Sequence, residues 1–503
     1  GDFLLGVNFN QRKYTQRGGS YINFILDSEK FFYTNALIED RDSFISDSKT
    51  RTSALYGSAN FDYKSLLFLN LTGRMEKAST FGAGQTFFYP STEFAFSFTE
   101  LDGLKGNDFL SSGKLRLAIG QVGQEPAAFA TDNYFTAASG GDSYGPAYDA
   151  AGYTGSFVRS TTLGNPDLKP EITTEYEVGI DLKLIRNKVS ISATYYQNFV
   201  KDALFTTDIA ASTGFSGIYT NAGELENKGF ELELGVDIVK NENFMWNLFG
   251  TWSTNDNVVT NIAGAESIFL AGFQGSSSRA VVGEGLGTLW GGRWDRDAAG
   301  KLILDSNGFP TVAATEGVIG DPNPDWRGGI GTNIEYKGIK LTALFDASIG
   351  GDAWDGTEGA LTNFGRSMIT ANESTSATAL TRSDGSTQAA NTAFRGNIYD
   401  FGGGNVALTQ SWYQGLGSGF GPVGEQFVKD ATWVKFRELG LSYVINSDLL
   451  GKTGINSIEL GLTGRNLKLW TKDDWGQDPE SNLTGASNGR GLQYFNHPTT
   501  KSY

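Results

Sequence analysis

Apolar and polar residues alternate with a period of two in several long runs of the chain. From Glu175 to Leu184 the apolar side chains fall on one face, which carries Tyr176, Val178, Ile180, Leu182 and Leu184. The alternation resumes at Val189 after a short turn at Arg186 and Asn187. A second pair of runs, 230–238 and 246–252, follows the same plan around a turn at 241–243. Two alternating runs joined by a short turn predict a β-hairpin.

The same pattern recurs along the rest of the chain and predicts about thirteen strands in total. Besides the four strands of the two hairpins, the predicted strands are 3–10, 55–63, 67–74, 94–98, 115–121, 330–336, 341–349, 434–445 and 458–466. Periodicity typical of amphipathic helices is almost absent. The fold class is therefore expected to be all-β.

The predicted connections between strands alternate between short and long. Short turns fall at 64–65, 186–187, 240–243 and 337–338, and long segments span 125–170, 201–227, 256–328 and 350–430. Aromatic residues near strand ends, such as Tyr195, Trp246 and Trp252, suit the two membrane interfaces. These features predict a transmembrane antiparallel β-barrel with long extracellular loops. A secreted all-β protein is the alternative, since alternation also describes a soluble sandwich.

The composition narrows the possible chemistry. The 503 residues include 40 Lys and Arg against 56 Asp and Glu, giving a net charge of −16, which argues against binding to nucleic acid. The chain has no cysteine, which excludes disulfides, thiolate metal sites and cysteine nucleophiles. His497 is the single histidine, so mechanisms that need a histidine in the body of the chain are disfavoured.

Three blocks of sequence stand out against the strand pattern. LGNPDLKPEITTEYEVGIDLKL begins at Leu163 and is followed by NAGELENKGFELEL from Asn221. IGDPNPDWRGGIGTNIEYKGIKLTALF begins at Ile319. The third block combines FVKDATWVKFRELGLSY from Phe427 with GRNLKLWTKDDWGQDPE from Gly464. In this order, the blocks resemble the SusC/RagA-type TonB-dependent outer-membrane transporters of Bacteroidota, and the resemblance extends over nearly the whole chain.

The resemblance implies a fold and a location. Residues 1–503 would form the C-terminal portion of a 22-stranded TonB-dependent receptor β-barrel. The N-terminal plug and the TonB box of such receptors are not present in this sequence. The location implied is the outer membrane of a Gram-negative cell, with the chain crossing it many times as a β-barrel.

The resemblance also implies an activity and partners. The activity is TonB-dependent active import of oligosaccharides or oligopeptides, without catalytic residues and without a cofactor. The implied partners are a SusD-like surface lipoprotein, the TonB-ExbB-ExbD energy system, outer-membrane lipid and the glycan or peptide substrate. An alternative is a SusC-like barrel that acts as a structural subunit of an outer-membrane assembly or secretion complex.

The long loops carry aromatic residues close to charged ones. Stacked aromatic rings with flanking carboxylates suit sugar rings, and Arg beside Asp suits peptide termini. The residues predicted on this basis to bind substrate are Trp290, Arg293, Trp294, Asp295, Trp354, Trp412 and Tyr413. The alternative is that these side chains form small cores that pack one loop on another.

Three further motifs resemble known sites but lack a required part. Asp295, Asp297 and Asp305 suggest a calcium loop, yet the twelfth position counted from Asp295 is Ser306 instead of a bidentate Glu. Asp/Asn-Gly turns are the expected structure there, and no metal site is predicted.

The segment 451–453 reads Gly-Lys-Thr, but the first glycine of a P-loop is missing and the predicted context is a turn between strands. The acid pair Glu231 and Glu233 belongs to an alternating strand and suits a wet lumen wall better than a glycosidase. The chain is therefore not expected to be an enzyme.

Overall fold

A computed structural model of the chain describes residues 1–21, 23–26, 33–38, 41–81, 85–137, 157–273, 275–446, 451 and 454–503. These residues are almost entirely strands and loops. The α-helices are α1 (Gly356–Asn363) and α2 (Gln410–Tyr413), and 3₁₀ turns occur at Tyr33–Asn35, Phe98–Glu100, Ala211–Thr213, Met368–Ala371 and Glu425–Phe427. Among the described residues, no helix combines the length and apolar character needed to cross a bilayer.

The strands in the first part of the chain include most of the long ones. They are β1 (Asp2–Tyr21), β2 (Arg41–Tyr63), β3 (Leu67–Ala78), β4 (Phe87–Phe96), β5 (Leu110–Gln124), β6 (Phe135–Ala137), β7 (Phe157–Arg159), β8 (Thr162–Leu163), β9 (Glu171–Leu184), β10 (Val189–Asp208), β11 (Gly217–Lys240), β12 (Phe244–Asn261), β13 (Ser267–Phe273), β14 (Ser276–Val281) and β15 (Thr288–Gly291).

Short strands within the loops are more frequent in the second half. The strands there are β16 (Gly317–Gly320), β17 (Trp326–Tyr336), β18 (Ile339–Ile349), β19 (Asp352–Asp355), β20 (Glu373–Ser374), β21 (Leu380–Thr381), β22 (Thr387–Gln388), β23 (Phe394–Arg395), β24 (Asn397–Asp400), β25 (Asn405–Leu408), β26 (Val428–Asp430), β27 (Trp433–Asn446), β28 (Ser457–Thr471) and β29 (Leu492–Gln493).

The long strands form one 14-stranded sheet in the order β1-β2-β3-β4-β5-β9-β10-β11-β12-β17-β18-β27-β28, with β8 pairing with β11. Each predicted strand overlaps a strand of this sheet, so the all-β prediction is confirmed. The prediction of a long loop over 201–227 is wrong, because β10 runs to Asp208 and β11 begins at Gly217. The predicted strand at 94–98 actually spans Phe87–Phe96, and Phe98 begins a 3₁₀ turn.

The chain forms two compact units, and the first comprises Gly1–Phe94, Ala118–Glu175 and Phe199–Gly223. In this unit β1 pairs antiparallel with β2, and β2 pairs antiparallel with β3. The turn between β2 and β3 places Lys64 and Ser65 at φ angles of 55° and 57°. A left-handed conformation at both turn positions matches the twist of a tight hairpin.

The second unit comprises Ala95–Leu117, Tyr176–Asn198 and Glu224–Tyr503. It contains an antiparallel series in which β11, β12, β17, β18, β27 and β28 pair in turn. The hairpin between β17 and β18 turns at Lys337 and Gly338, whose φ angles are 49° and 86°. The short strands β13-β14-β15-β16 and β26-β19-β29 form separate sheets within its loops.

Alternate side chains of the main sheet are apolar and exposed. In β1, Phe3, Leu5 and Phe9 are each at least 75% exposed, and in β28 Leu462 is 70% exposed. A row of exposed apolar side chains suits a lipid environment, whereas a soluble sandwich would bury it.

The other face of the sheet carries charges that pair with each other. In the second unit, the Asp181 carboxylate accepts a hydrogen bond of 2.9 Å from Arg116 Nε and one of 2.8 Å from the Ser192 hydroxyl. Lys114 Nζ lies 3.3 Å from the same carboxylate. This division of apolar and charged residues is the one that the period of two predicts.

Candidate functional site

The loops of the second unit have apolar cores of their own, and four predicted site residues lie in them. We call the first the aromatic loop core; its buried members are Trp294, Phe309, Val406, Leu408, Trp412, Tyr413 and Val423. Trp294 and Trp412 stack with ring centroids 5.9 Å apart. Asn397 donates a hydrogen bond of 2.5 Å to the Tyr413 hydroxyl. Burial raises the pKa of Tyr413, and the bond from Asn397 offsets this only in part.

Trp354 belongs to a second loop core, together with Leu289, Phe427 and Leu492. Its ring stacks on Tyr494 at a centroid distance of 6.4 Å, and its buried Nε1 has no hydrogen-bond partner among the described residues. Neighbouring Asp355 caps α1 by accepting a hydrogen bond from Glu358 N, and it forms an ion pair of 2.8 Å with Lys429. The stacking on Tyr494 joins β19 to the segment that follows β28, and the ion pair joins Asp355 to β26.

The other predicted site residues are half-buried, do not belong to these cores and are each next in sequence to a core residue, Leu289 or Trp294. Trp290 lies in β15, where the Arg279 guanidinium packs over its ring at 5.6 Å. Arg293 and Asp295 follow in the next loop, and Asp295 N donates a hydrogen bond of 2.8 Å to Thr311 O. The structure thus places the predicted residues in two cores and along one loop.

The carboxylates of the possible calcium loop are engaged in turns. Asp297 accepts hydrogen bonds from Ala299 N and Lys301 N, at 2.8 and 2.9 Å. Asp305 accepts 2.9 Å bonds from Asn307 N and Phe309 N in the same way. Among the described residues, no group of three or more acidic or histidine side chains has a geometry that would hold a metal ion. Of the possible P-loop, Lys452 and Thr453 lie outside the described residues.

A polar cavity of about 750 Å³ lies against the strands of the second unit, and we call it the strand cavity. Side chains from four long strands line it, including Thr251 of β12, Arg327 of β17, Asp346 of β18, and Arg437 of β27. The segment after β28 supplies further lining through Glu480, Asn482 and Arg490. Charges of both signs therefore face one cavity.

One wall of the strand cavity is held by a network of ion pairs. The Lys435 ammonium is buried, lies 2.7 Å from Asp478 and also contacts Glu480. Arg437 connects Asp346, at 2.7 Å, with Glu480, at 3.1 Å. The Trp433 ring packs beside both cations, at 4.6 Å from Lys435 Nζ. The network pins the segment after β28 to β27.

The cationic partners of Asp478 and Glu480 were not predicted from the sequence. The signal in the sequence is the pair Lys435 and Arg437, two positions apart, which a regular strand would place on one face. The pairing register of β27 shifts at Arg437, and both cations contact Glu480. Burial alone raises the pKa of Glu480, but the hydrogen bonds from Arg437 and Lys435 outweigh it and hold that pKa below its ordinary value.

Another lining residue, Asp352, has the opposite shift. Burial of the Asp352 carboxyl group raises its pKa. The hydrogen bond that it accepts from Asp321 N lowers the pKa, and the nearby carboxylates of Asp430, Asp321 and Asp473 raise it further. The strand cavity thus combines a charge-compensated wall with a carboxyl group that resists ionisation.

Comparison with known proteins places this architecture in a family. A sequence model described as "TonB dependent receptor-like, beta-barrel" matches residues 1–355. TonB-dependent receptor P3 of Formosa agariphila is 25% identical over 486 residues, which cover 91% of this chain and 45% of the relative. TonB-dependent receptor SusC of Bacteroides thetaiotaomicron is 24% identical over 318 residues, covering 58% of this chain and 31% of that protein. The chain thus spans less than half the length of these relatives.

A solved structure described as the RagAB peptide transporter has the same fold. It superposes with a TM-score of 0.72 at 17% identity, over 99% of this chain and 52% of that chain. The proteins found are receptors and transporters and not enzymes. Since the family model matches well over half of its residues, the chain belongs to the TonB dependent receptor-like β-barrel family.

Proposed function

We propose that this chain is part of a SusC-like active importer that carries oligosaccharides or oligopeptides across the outer membrane. The observation that carries the proposal is the family match over residues 1–355. The relative named SusC and the RagAB peptide transporter support it as similar proteins. The exposed apolar rows of β1 and β28 support a position in lipid.

In this proposal, residues 1–503 are the C-terminal portion of the barrel domain, and the plug and the TonB box belong to the rest of the receptor. A SusD-like lipoprotein covers the extracellular mouth and traps the substrate against the loops. The TonB-ExbB-ExbD system then pulls on the plug to open a path. The chain contributes binding and a passage, with no covalent step.

The predicted substrate-binding residues take two roles in this proposal. Trp290, Arg293 and Asp295 are half-buried at the edge of the loop cores, so we propose that they contact substrate directly. The buried rings of Trp294, Trp354, Trp412 and Tyr413 fix the shape of the loops that present those residues. The charged side chains of the strand cavity provide polar contacts further along the strands.

Uptake by cells that express the full-length receptor tests this function. The probes are a labelled peptide digest and a labelled maltooligosaccharide ladder, each supplied to cells with and without TonB. We expect TonB-dependent uptake of one probe class, and a loss of most of that uptake in W290A and R293Q at unchanged receptor level. R366Q is the matched control, because Arg366 is exposed and lies outside the loop cores. Normal uptake by W290A and R293Q would show that Trp290 and Arg293 do not contact the substrate. Uptake that is independent of TonB would refute active import.

A further inference from the structure

A second cavity lies wholly within the loop between β18 and β27, and we call it the loop cavity. It has a volume of about 820 Å³ and is bounded by α1, α2 and the short strands between them. Arg382, Arg395 and Asp384 are its charged lining residues, and Phe364 and Phe394 are its phenylalanines. None of these five residues lines the strand cavity, and Tyr413 is the member of the predicted site that also lines the loop cavity.

Neutral groups hold both arginines of the loop cavity in place. Arg395 donates from Nε to Thr370 O at 2.6 Å and from Nη2 to Gly365 O at 3.3 Å. Arg382 donates from Nη2 to Gln388 Oε1 at 2.5 Å. Its Nη1 is 3.4 Å from the Ser386 hydroxyl. Each guanidinium has five N–H donors, so donors remain on both.

The positive charges of these arginines are only weakly compensated by the protein. Among the described residues, neither Arg382 nor Arg395 forms an ion pair with a carboxylate, although seventeen such contacts occur elsewhere. The Arg382 Nε is buried and has no hydrogen-bond partner in the described part of the chain. A charged donor without a partner is destabilising, and an anion nearby would relieve it.

The carboxylate that lines the cavity compensates the pair only in part. Asp384 accepts hydrogen bonds from Ser386 N and the Ser386 hydroxyl, at 2.9 and 2.6 Å; these bonds come first in lowering its pKa, and the attraction of Arg382 adds to the fall. With two fixed cations against one carboxylate, the loop cavity is cationic within a chain of net charge −16.

We propose that the loop cavity binds the carboxylate of an organic ligand, with Arg382 and Arg395 as its charged contacts. The guanidinium fork matches a carboxylate with two parallel hydrogen bonds. The rings of Phe364 and Phe394 offer apolar faces for the carbon skeleton that bears the carboxylate. The acidic group comes either from a uronic acid sugar or from a peptide C-terminus. The ligand would bind in the loop cavity at equilibrium, without transport, so this site is an addition to the proposed import through the barrel.

Calorimetry on the full-length receptor in detergent tests the proposal, with four probes in matched pairs. The probes are trigalacturonate with its neutral counterpart galactotriose, and trialanine with trialanine amide. We expect binding of at least one acidic member and none of its neutral partner. The pair that shows this difference identifies the source of the carboxylate. Absence of binding by both acidic probes, or equal binding within each pair, would overturn the proposal.

Substitutions assign the binding to the loop cavity. The variant R382Q/R395Q is expected to weaken binding by roughly 100-fold or more, since it removes the charge-assisted hydrogen bonds of both arginines. R366Q is the control: Arg366 lies on the same loop, is exposed and does not line the cavity. Unchanged affinity in R382Q/R395Q would overturn the proposal.

Because the glutamines could disturb the loop, R382K/R395K keeps the charges and provides a second measurement. We expect this variant to bind the acidic probe more weakly than the wild type and more tightly than R382Q/R395Q. Equal binding by all three proteins would count against the arginine pair. The assay needs no TonB, so failure of import and failure of this site are distinguishable.

Discussion

Replacement of Lys435 by methionine perturbs the ion network that holds Glu480 at the wall of the strand cavity. Lys435 is 3% exposed, and its ammonium lies between Asp478, 2.7 Å away, and Glu480. Methionine fills a similar volume but carries no charge. The substitution therefore leaves the buried Asp478 carboxylate without its cation, while Glu480 keeps Arg437.

The free-energy cost of K435M depends on which carboxylate loses its positively charged partner. Breaking a buried ion pair by removal of one member costs about 3–5 kcal/mol. Asp478 retains the hydrogen bond of 2.8 Å from the Thr499 hydroxyl, which favours the lower end of that range. A loss of about 3 kcal/mol corresponds to a roughly 100-fold increase in opening of the segment after β28.

Hydrogen exchange measured by mass spectrometry on peptides covering 478–496 reports this opening. We expect roughly 100-fold faster exchange of the protected amides in K435M than in the wild type. K472M is the matched control, because Lys472 also pairs with an aspartate, Asp430, but its side chain is 65% exposed. Exposed ion pairs contribute little, so K472M is expected to leave the exchange of these peptides nearly unchanged.

A double variant separates the ion pair from mere packing. K435M/D478N removes both charges, and we expect it to regain much of the protection that K435M loses, because no buried carboxylate is left unpaired. Exchange in K435M at the wild-type rate would show that the ion network does not hold residues 478–496 in place. Equal loss in K435M and K435M/D478N would assign the effect to packing.

Three further predictions concern pH and the loops. The pKa of Glu480 is lower in the folded protein than in the unfolded chain, so the ionised carboxylate stabilises the fold above the unfolded pKa of about 4.3. This stabilisation is lost as the pH falls through the folded pKa, and hydrogen exchange over 478–496 should therefore accelerate only in acid. W412A should destabilise the aromatic loop core by about 3–5 kcal/mol and speed proteolysis within 292–430, whereas M368A, at an 83% exposed site, should not. G292A should also speed cleavage near 421–424, since its Cβ would lie 1.7 Å from Pro422 O; unchanged digestion of either loop variant would contradict these assignments.

The strands were predictable from the sequence because their pattern is local. A period of two along Tyr176–Leu184 depends only on which face each side chain occupies, and β9 contains that whole run. Strand ends were less predictable: β10 continues to Asp208 through the segment QNFVKDALFTTD, whose apolar residues are clustered instead of alternating. Hydrogen bonds to a neighbouring strand extend β10 through this segment, and the local sequence pattern does not show those bonds.

The site was less predictable because its contacts join distant parts of the chain. Aromatic composition identified Trp294 and Trp412, but their stacking depends on how two long loops meet. The same limit applies to Lys435 and Asp478, which are 43 positions apart. A lysine in a strand gives no sign in the sequence that its side chain is buried, whereas the tight Asp297 turn was predictable from neighbouring residues.

The measurement that tests the proposed importer most directly is the composition of the native complex extracted from membranes with mild detergent. We expect a receptor that contains residues 1–503 within a longer chain, one SusD-like lipoprotein, and bound glycan or peptide. Mass spectrometry of the intact complex and of its released ligands would establish all three. Recovery of the receptor with several unrelated outer-membrane proteins and without ligand would contradict import and favour a structural subunit of an assembly or secretion complex.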